Sequence, residues 1–253
     1  MKKIVVLVFI AMVSIACKNE SKKETVKKEE IKEVKYPKVL EEVFDKHGGI
    51  AQWKKMKTVS FTLKNEEHTT DLHSRKSVVN SPAYSLGFDG TKVWLRQQDS
   101  TAFKGNPEFY YNLYFYFYAM PFVLADDGIV YSETEPLIFE GITYPGIKIS
   151  YKANVGTSPD DNYFIFYHPE TKQMAWLGYT VTFFSKEPTD AYKIIRYNDW
   201  ENVNGLLLPK SITWYDKDEN GQPTKPAKEP VQFKMSLLSE ASLANSFYEK
   251  QKQ

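Results

Sequence analysis

The sequence predicts an α+β fold that is mainly β, built on an antiparallel sheet. Three observations carry this prediction. A helical pattern of apolar residues precedes the first strand, short strands with alternating apolar residues recur along the chain, and turn dipeptides return the chain between most of them. Consecutive strands joined by short turns pair antiparallel, so one sheet with a few helices against it is the expected architecture.

Two short helices are predicted at the start of the folded part. Pro37 fits the first position of a helix, because the N–H that it lacks has no partner there. Apolar residues then recur on one helical face until Gly48 and Gly49 end the helix. His47 is expected at the helix C-terminus, where a positive imidazole interacts favourably with the helix dipole. The inward residues are Val39, Leu40, Val43 and Phe44 in the first helix and Ile50, Trp53 and Met56 in the second.

Strands dominate the rest of the chain. Val59, Phe61 and Leu63 alternate with polar residues, which is typical of a half-buried strand. Asp89 and Gly90 predict a type I′ turn in the hairpin that follows. The further strands are predicted over residues 84–88, 93–95, 138–139, 147–151, 163–168, 174–184, 194–200, 206–215 and 231–238.

One aromatic segment interrupts the strands. Residues 108–125 are predicted to be helical, with Asn106 as the cap, Pro107 at the first position and Pro121 as an interruption. Between Phe109 and Tyr118 the rings occur on every side of the helix. Such a helix is either a core helix packed on the sheet or the ring-lined wall of a ligand cavity.

The N-terminus carries an export signal. Lys2 and Lys3 precede an apolar stretch over residues 4–15, which is too short to cross a bilayer. Ala16 stands directly before Cys17, the single cysteine, and this pair resembles the lipobox of bacterial lipoproteins. The resemblance implies that the signal is removed and that the cysteine is acylated. An ordinary secretory signal with an incidental cysteine is the alternative.

Three segments follow from this interpretation. Residues 1–16 are the expected lipoprotein signal peptide, and residues 17–35 are the acylated cysteine with a Lys- and Glu-rich tether that cannot bury a core. Residues 36–253 are expected to form one mildly acidic domain. The net charge of +1 gives no basic footprint for nucleic acid, which is therefore not an expected partner. The expected location is the cell envelope, anchored by lipid in the outer membrane, at its periplasmic face or at the cell surface.

Several stretches together carry a resemblance to a known superfamily. They are the helix end at residues 47–49 that leads through Trp53 into the strand over 59–63, the hairpin over 88–95, and the strands over 163–169 and 174–177. They resemble the lipoprotein-localisation-factor (LolA/LolB-like) superfamily, and within it an uncharacterised bacterial lipoprotein family typified by Tyr114–Gly128. The resemblance implies a half-open barrel, a curled antiparallel sheet whose concave face is covered by helices over a hydrophobic cavity for acyl chains. No counterpart of the carriers' gating arginine is identified among Arg75, Arg96 and Arg196.

Catalytic patterns are weak. No serine lies in a Gly-x-Ser-x-Gly elbow, and no cysteine remains after signal removal. His68, Asp71 and His73 could hold a metal only across a bulge, since on a strand His68 points away from the other two. A polar outer strand is the alternative. The paired carboxylates at 126–127 and 160–161 are neighbours that point apart on an extended chain, so neither makes a facing acid–base pair.

A partial calcium loop is the remaining metal candidate. Asp216, Asp218 and Asn220 match the first half of such a loop. The twelfth position is Ala227 where a bidentate Glu is needed, so a polar hairpin tip is favoured over a metal site. No catalytic residue, resident metal or cofactor is expected.

The leading hypothesis is a lipid-anchored, non-catalytic envelope protein that binds a lipid or a lipoprotein acyl chain between sheet and helices. A cell-surface interaction or glycan-binding module is the alternative, and a hydrolase comes third. The partners expected are thus the membrane, through the anchor, and a lipid ligand, while the oligomeric state stays open. The candidate cavity residues are Phe61, Leu86, Phe88, Phe115, Phe117, Ile147, Ile149 and Trp176.

Overall fold

The computed structural model describes residues 36–152 and 160–251, which belong to one compact unit. The predicted signal peptide 1–16, the acylation site Cys17 and the tether 17–35 lie outside the described residues. Those three expectations therefore remain predictions.

The two N-terminal helices form as predicted. Helix α1 spans Lys38–Lys46 and helix α2 spans Ile50–Lys55. The chain turns between them through Gly48 and Gly49, whose φ angles of 101° and 89° favour glycine. Both helices place their apolar face inward. Their buried residues are Leu40, Val43 and Phe44 in α1 and Trp53 in α2.

Fourteen strands follow within the described residues. In chain order they are β1 Thr58–Leu63, β2 Glu66–Asp71, β3 Ser77–Asn80, β4 Tyr84–Phe88, β5 Val93–Gln97, β6 Ile129–Phe139, β7 Ile142–Tyr151, β8 Tyr163–Tyr167, β9 Met174–Tyr179, β10 Lys193–Val203, β11 Leu206–Lys217, β12 Pro223–Pro226, β13 Val231–Gln232 and β14 Lys234–Ser239. All of their pairings are antiparallel. The predicted antiparallel sheet is confirmed.

The strands form two hydrogen-bonded layers, and the chain passes between them twice, first from β5 to β6 and again from β13 to β14. The first has the order β14-β1-β2-β3-β4-β5, and the second runs β12-β11-β10-β9-β8-β7-β6. β13 pairs with β11 and β14 pairs with β1, so the chain passes from one layer to the other at the buried Phe233. The result is a curled antiparallel half-barrel with few helices, and the predicted fold class is confirmed.

Turn chemistry fixes the hairpins. Asn204-Gly205 and Glu140-Gly141 join their strands through two residues that both have positive φ, as a type I′ turn requires. The Asp89-Gly90 turn differs from the prediction, because only the glycine has positive φ. There the Asp89 carboxylate accepts hydrogen bonds from the two backbone N–H groups that follow Gly90, and this side-chain turn takes the place of type I′.

The aromatic segment, predicted to be helical with an interruption at Pro121, is divided into three short pieces. It forms helix α3 over Pro107–Tyr110, helix α4 over Leu113–Tyr118 and a 3₁₀ turn over Phe122–Ala125. The predicted start is confirmed, since the Asn106 side chain accepts from the N–H groups of the first turn and Pro107 follows it. The predicted interruption at Pro121 is confirmed, because this proline has no N–H to continue the helical hydrogen bonds, whereas the break at Tyr111 and Asn112 was not predicted.

Helices and both strand layers share one core. Residues from α1, α2, α4 and the 3₁₀ turn pack with strands of both layers. Rings make much of this core: Trp53 stacks on Phe122 at 4.9 Å, and Phe61 lies 4.5 Å from Tyr118 between ring centroids. A second cluster contains Leu137, Phe139, Tyr144, Phe166, Trp176 and Ile194.

His47 ties the end of α1 to the sheet. Its ring is fully buried, its Nδ1–H donates to the Leu207 carbonyl over 2.9 Å, and its Nε2 accepts from the Met174 N–H over 3.1 Å. Burial lowers the pKa of this imidazole to about 4, so the ring is neutral at pH 7. The expected positive charge at the helix end is therefore wrong, because the ring serves as a neutral bridge.

Candidate ligand-binding cavity

A cavity of about 280 Å³ lies where the aromatic helices meet the ends of β7, β8 and β9. Helix α4 supplies one wall, and the residues that follow β9 supply the opposite one. The turn after β2 and the chain after the 3₁₀ turn complete it through Arg75, Asp126 and Asp127.

The apolar walls come from both sides of this cavity. Leu113 and Phe117 project from α4, and Val181 faces the cavity from the segment after β9. The Phe117 ring packs edge-on against Tyr179 at 5.3 Å and Trp214 at 5.7 Å, which fixes its position. These contacts hold the wall on regular structure.

A phenylalanine rim continues the cavity toward solvent. Phe109 and Phe183 line the cavity and lie 5.3 Å apart between ring centroids. Phe184 packs 4.9 Å from Phe109 and is 65% exposed. The Lys186 ammonium lies 4.2 Å from the Phe183 ring centroid, so a cation borders the rim.

Three tyrosines whose hydroxyls have no hydrogen-bond partner among the described residues line the cavity. Tyr116, Tyr151 and Tyr163 line it, and none of these hydroxyls has a hydrogen-bond partner among residues 36–152 and 160–251. None of these three hydroxyl oxygens is among the fully buried atoms without a partner, so each has some accessible surface. Burial is the main cause that raises the pKa of each phenol above its ordinary value. The three groups are therefore neutral donors and acceptors at physiological pH.

The charged groups of the lining are held by specific contacts. The Arg75 Nη2 atom lies 2.6 Å from both carboxylate oxygens of Asp126, and the guanidinium carbon lies 5.1 Å from the Phe115 ring centroid. The buried Asp161 carboxylate accepts from the Thr182 N–H at 2.6 Å and from its hydroxyl at 2.9 Å. These contacts stabilise charge beside an otherwise aromatic space.

The predicted cavity residues do not all come together. Phe117 alone of the eight lines this cavity, and Phe115 packs under the Arg75 guanidinium. The other predicted residues separate into three groups: Phe61, Ile147 and Ile149 lie in the main core, Leu86 and Phe88 pack with Tyr111, and Trp176 lies in the second cluster.

Trp176 packs in a different cluster from the one predicted, because the pairing of β8 with β9 is irregular. Phe166 pairs with Trp176, whereas the next residue, Tyr167, pairs with Met174, so the register shifts there. Met174 and Leu177 join the main core, while Trp176 packs with the second cluster. An assignment of residues to the two faces of a strand by strict alternation therefore fails beyond such a register shift.

Sequence reasoning missed the polar lining of the cavity. Tyr151 ends β7 and Tyr163 begins β8, so they come from opposite sides of one loop. Arg75 and Asp126 are 51 residues apart in the chain. The available signal was the position of the two tyrosines at neighbouring strand ends, where antiparallel pairing brings side chains together.

The histidine and acid cluster has a different arrangement from a metal site. His68 Nε2 lies 3.0 Å from Glu66 Oε2, which also accepts a hydrogen bond from the Tyr110 hydroxyl, while Glu66 Oε1 accepts one from the Tyr84 hydroxyl. His73 Nε2 lies 3.0 Å from the Met56 carbonyl. The part of the chain that the structure describes contains no group of three or more His, Cys, Asp or Glu side chains able to hold a metal.

The calcium-loop residues lie at a hairpin tip. Asp216 lies near the end of β11, and Asp218 begins the turn toward β12. The Asp218 Oδ1 atom accepts from the N–H groups of Asn220 at 2.9 Å and Gln222 at 2.8 Å. This carboxylate oxygen thereby stabilises the turn, which is the arrangement of a polar hairpin tip.

Within residues 36–152 and 160–251, no helix has the length and apolar character that a bilayer crossing requires.

Of the comparisons with known proteins, only the one with solved structures finds similar proteins. No family model matches the sequence, and no curated protein matches it. A LolA superfamily protein from Nitrosomonas europaea is 8% identical, with a TM-score of 0.36 over 76% of this chain and 87% of that one. A DUF1329 family protein from Desulfovibrio piger is 8% identical, with a TM-score of 0.42 over 79% and 92%.

A putative outer membrane lipoprotein-sorting protein domain from Vibrio parahaemolyticus is also similar. It is 8% identical, with a TM-score of 0.36 over 80% of this chain and 96% of that chain.

Proposed function

We propose that this chain is a lipid-anchored envelope protein that binds a lipid or an acyl chain in the cavity beside α4, without catalysing a reaction on it. The observation that supports this most is the cavity itself, which combines aromatic and aliphatic walls with a few polar groups. That combination is the usual form of a small-molecule site.

The size of the cavity supports one slender ligand. Its volume of about 280 Å³ is close to the lower end of ordinary ligand pockets, roughly 300 to 1,000 Å³. An apolar cavity of about 150 Å³ already takes benzene. Each methylene removed from water contributes about 0.8 kcal/mol, so a single alkyl chain of moderate length would bind usefully.

A hydrocarbon probe tests this function. Diphenylhexatriene fluoresces in apolar surroundings, and the full chain is expected to bind it saturably at one site. Val181→Trp and Leu113→Trp, which fill the cavity from opposite walls, should each weaken binding at least about tenfold, or ~1.4 kcal/mol.

The matched control is Val130→Trp on β6, because Val130 is 43% exposed and does not line the cavity. Circular dichroism would confirm that each variant is folded. Binding that does not saturate, or that neither cavity variant weakens, would contradict the proposal and leave the interaction-module alternative.

The anchor is tested separately at Cys17. If this residue carries acyl chains, the full chain should partition into detergent, since two signals or chains hold a protein stably on a membrane. Cys17→Ser should move it to the aqueous phase. Retention of that variant in detergent would show that the cysteine is not the anchor.

A further inference from the structure

We propose that the cavity selects a hydrophobic ligand whose polar head is uncharged, an ester or a hydroxyl group, and that Tyr116, Tyr151 and Tyr163 hold this head. The inference rests on the proposed function, because it names the chemical class of the ligand for the same cavity.

The first argument is the hydrogen-bonding capacity of the three tyrosines. Each hydroxyl can donate one hydrogen bond and accept others. None has a partner within residues 36–152 and 160–251, although all three line one cavity. The Tyr151 and Tyr163 rings lie 6.1 Å apart between centroids, so their hydroxyls can form hydrogen bonds with neighbouring oxygen atoms of one ligand.

The second argument is the electrostatic character of the cavity. Burial is the first cause that raises the pKa of Tyr151 and Tyr163, and it disfavours any charged head. The nearby Asp161 carboxylate raises both pKa values further, which disfavours an anion in particular. The Arg75 charge is partly offset by Asp126, whose two carboxylate oxygens lie 2.6 Å from its Nη2 atom, while its buried Nη1 atom has no hydrogen-bond partner among the described residues and can donate to an uncharged ligand oxygen.

A cationic head would compete with a guanidinium that already lines the cavity. The Lys186 ammonium lies 4.2 Å from the ring centroid of Phe183, a lining residue, so that cation–π position is already occupied. An ester or alcohol meets neither obstacle. Its oxygen atoms accept from the phenols, and its chain lies along Leu113, Phe117 and Val181.

Tyr179 provides a matched control in the same cavity. Its hydroxyl also belongs to a lining residue, but it accepts a hydrogen bond from the Trp214 Nε1–H over 2.8 Å. Removing this hydroxyl should affect the Trp214 contact and leave the choice of head group unchanged.

The experiment compares three dodecyl ligands on the full chain at pH 8, each displacing diphenylhexatriene below its aggregation concentration. Monododecanoylglycerol should bind about tenfold tighter than dodecanoate or dodecylammonium. Tyr151→Phe and Tyr163→Phe should each weaken the ester about fivefold, as expected for one lost hydrogen bond, and weaken diphenylhexatriene, which makes no hydrogen bond, much less than the ester. Tyr179→Phe should keep the full preference.

The outcomes separate the two proposals. Saturable probe binding with equal affinities for the three ligands, or with dodecylammonium or dodecanoate binding tightest, would overturn this inference and leave the proposed function in place. An unchanged ester affinity in both tyrosine variants would overturn it as well. Probe binding that fails to saturate would contradict the proposed function and this inference together.

Discussion

Lowering the pH from 7 to 5 is expected to reduce the free energy of unfolding by about 2 kcal/mol through His47 alone. The folded protein holds the pKa of this imidazole at about 4, mainly because burial disfavours its charged form, while the ordinary value is 6.5. Below pH 6.5 the His47 imidazole binds a proton in the unfolded chain but not in the folded chain. Stability is therefore full above that pH, and the loss reaches about 3 kcal/mol near pH 4.

The test is chemical denaturation from pH 7 to 5, above the range where most carboxylates titrate. His47→Gln serves as the control, since an amide replaces the imidazole with a side chain that does not titrate. The variant is expected to be less stable at pH 7 and to lose the pH dependence that His47 causes. Equal slopes for both proteins in this range would contradict the assignment of a buried neutral ring.

Gly48→Ala is expected to destabilise the fold by at least about 3 kcal/mol. The φ angle of 101° is rarely adopted by other residues, and an added Cβ would lie 2.3 Å from the backbone oxygen of Gly205. That oxygen belongs to the β10–β11 turn, so the collision can be relieved only by moving α1 away from the sheet. The neighbouring Leu207 N–H, which donates to the His47 carbonyl over 2.9 Å, would be displaced as well.

Gly49→Ala isolates the steric part of this effect. Gly49 also has positive φ, at 89°, but a Cβ there would meet nothing closer than an Asp45 carboxylate oxygen at 3.8 Å. Gly49→Ala should therefore lower the free energy of unfolding only by the cost of the unfavourable backbone conformation, about 1 to 2 kcal/mol. Thermal or denaturant unfolding of the two variants measures the difference. Equal losses would contradict the close approach of α1 to the β10–β11 turn.

Local patterns predicted most of the secondary structure. The period of two in β1, the Asn204-Gly205 turn and the Asn106 cap are each determined by neighbouring residues, and each is confirmed. The break in the aromatic segment shows the limit of such patterns. The interruption at Pro121 follows from its missing N–H, whereas no local pattern predicted the break at Tyr111 and Asn112.

The candidate site was predicted in part. The aromatic segment was expected to be either core or cavity wall, and the structure gives it both roles: Tyr118 is buried in the core, while Phe117 also faces the cavity. The charged pair in the lining could not be predicted, because Arg75 and Asp126 meet only through tertiary packing. Their separation along the chain leaves no local pattern to detect.

The crystal structure of the full chain with monododecanoylglycerol tests the central claim most directly. Electron density for the alkyl chain is expected between Leu113, Phe117 and Val181, with the ester or glycerol oxygens within hydrogen-bond distance of the Tyr151 or Tyr163 hydroxyl. Density for the ligand at another surface, or a cavity filled by the protein's own side chains, would contradict the claim that this space is a lipid-binding site.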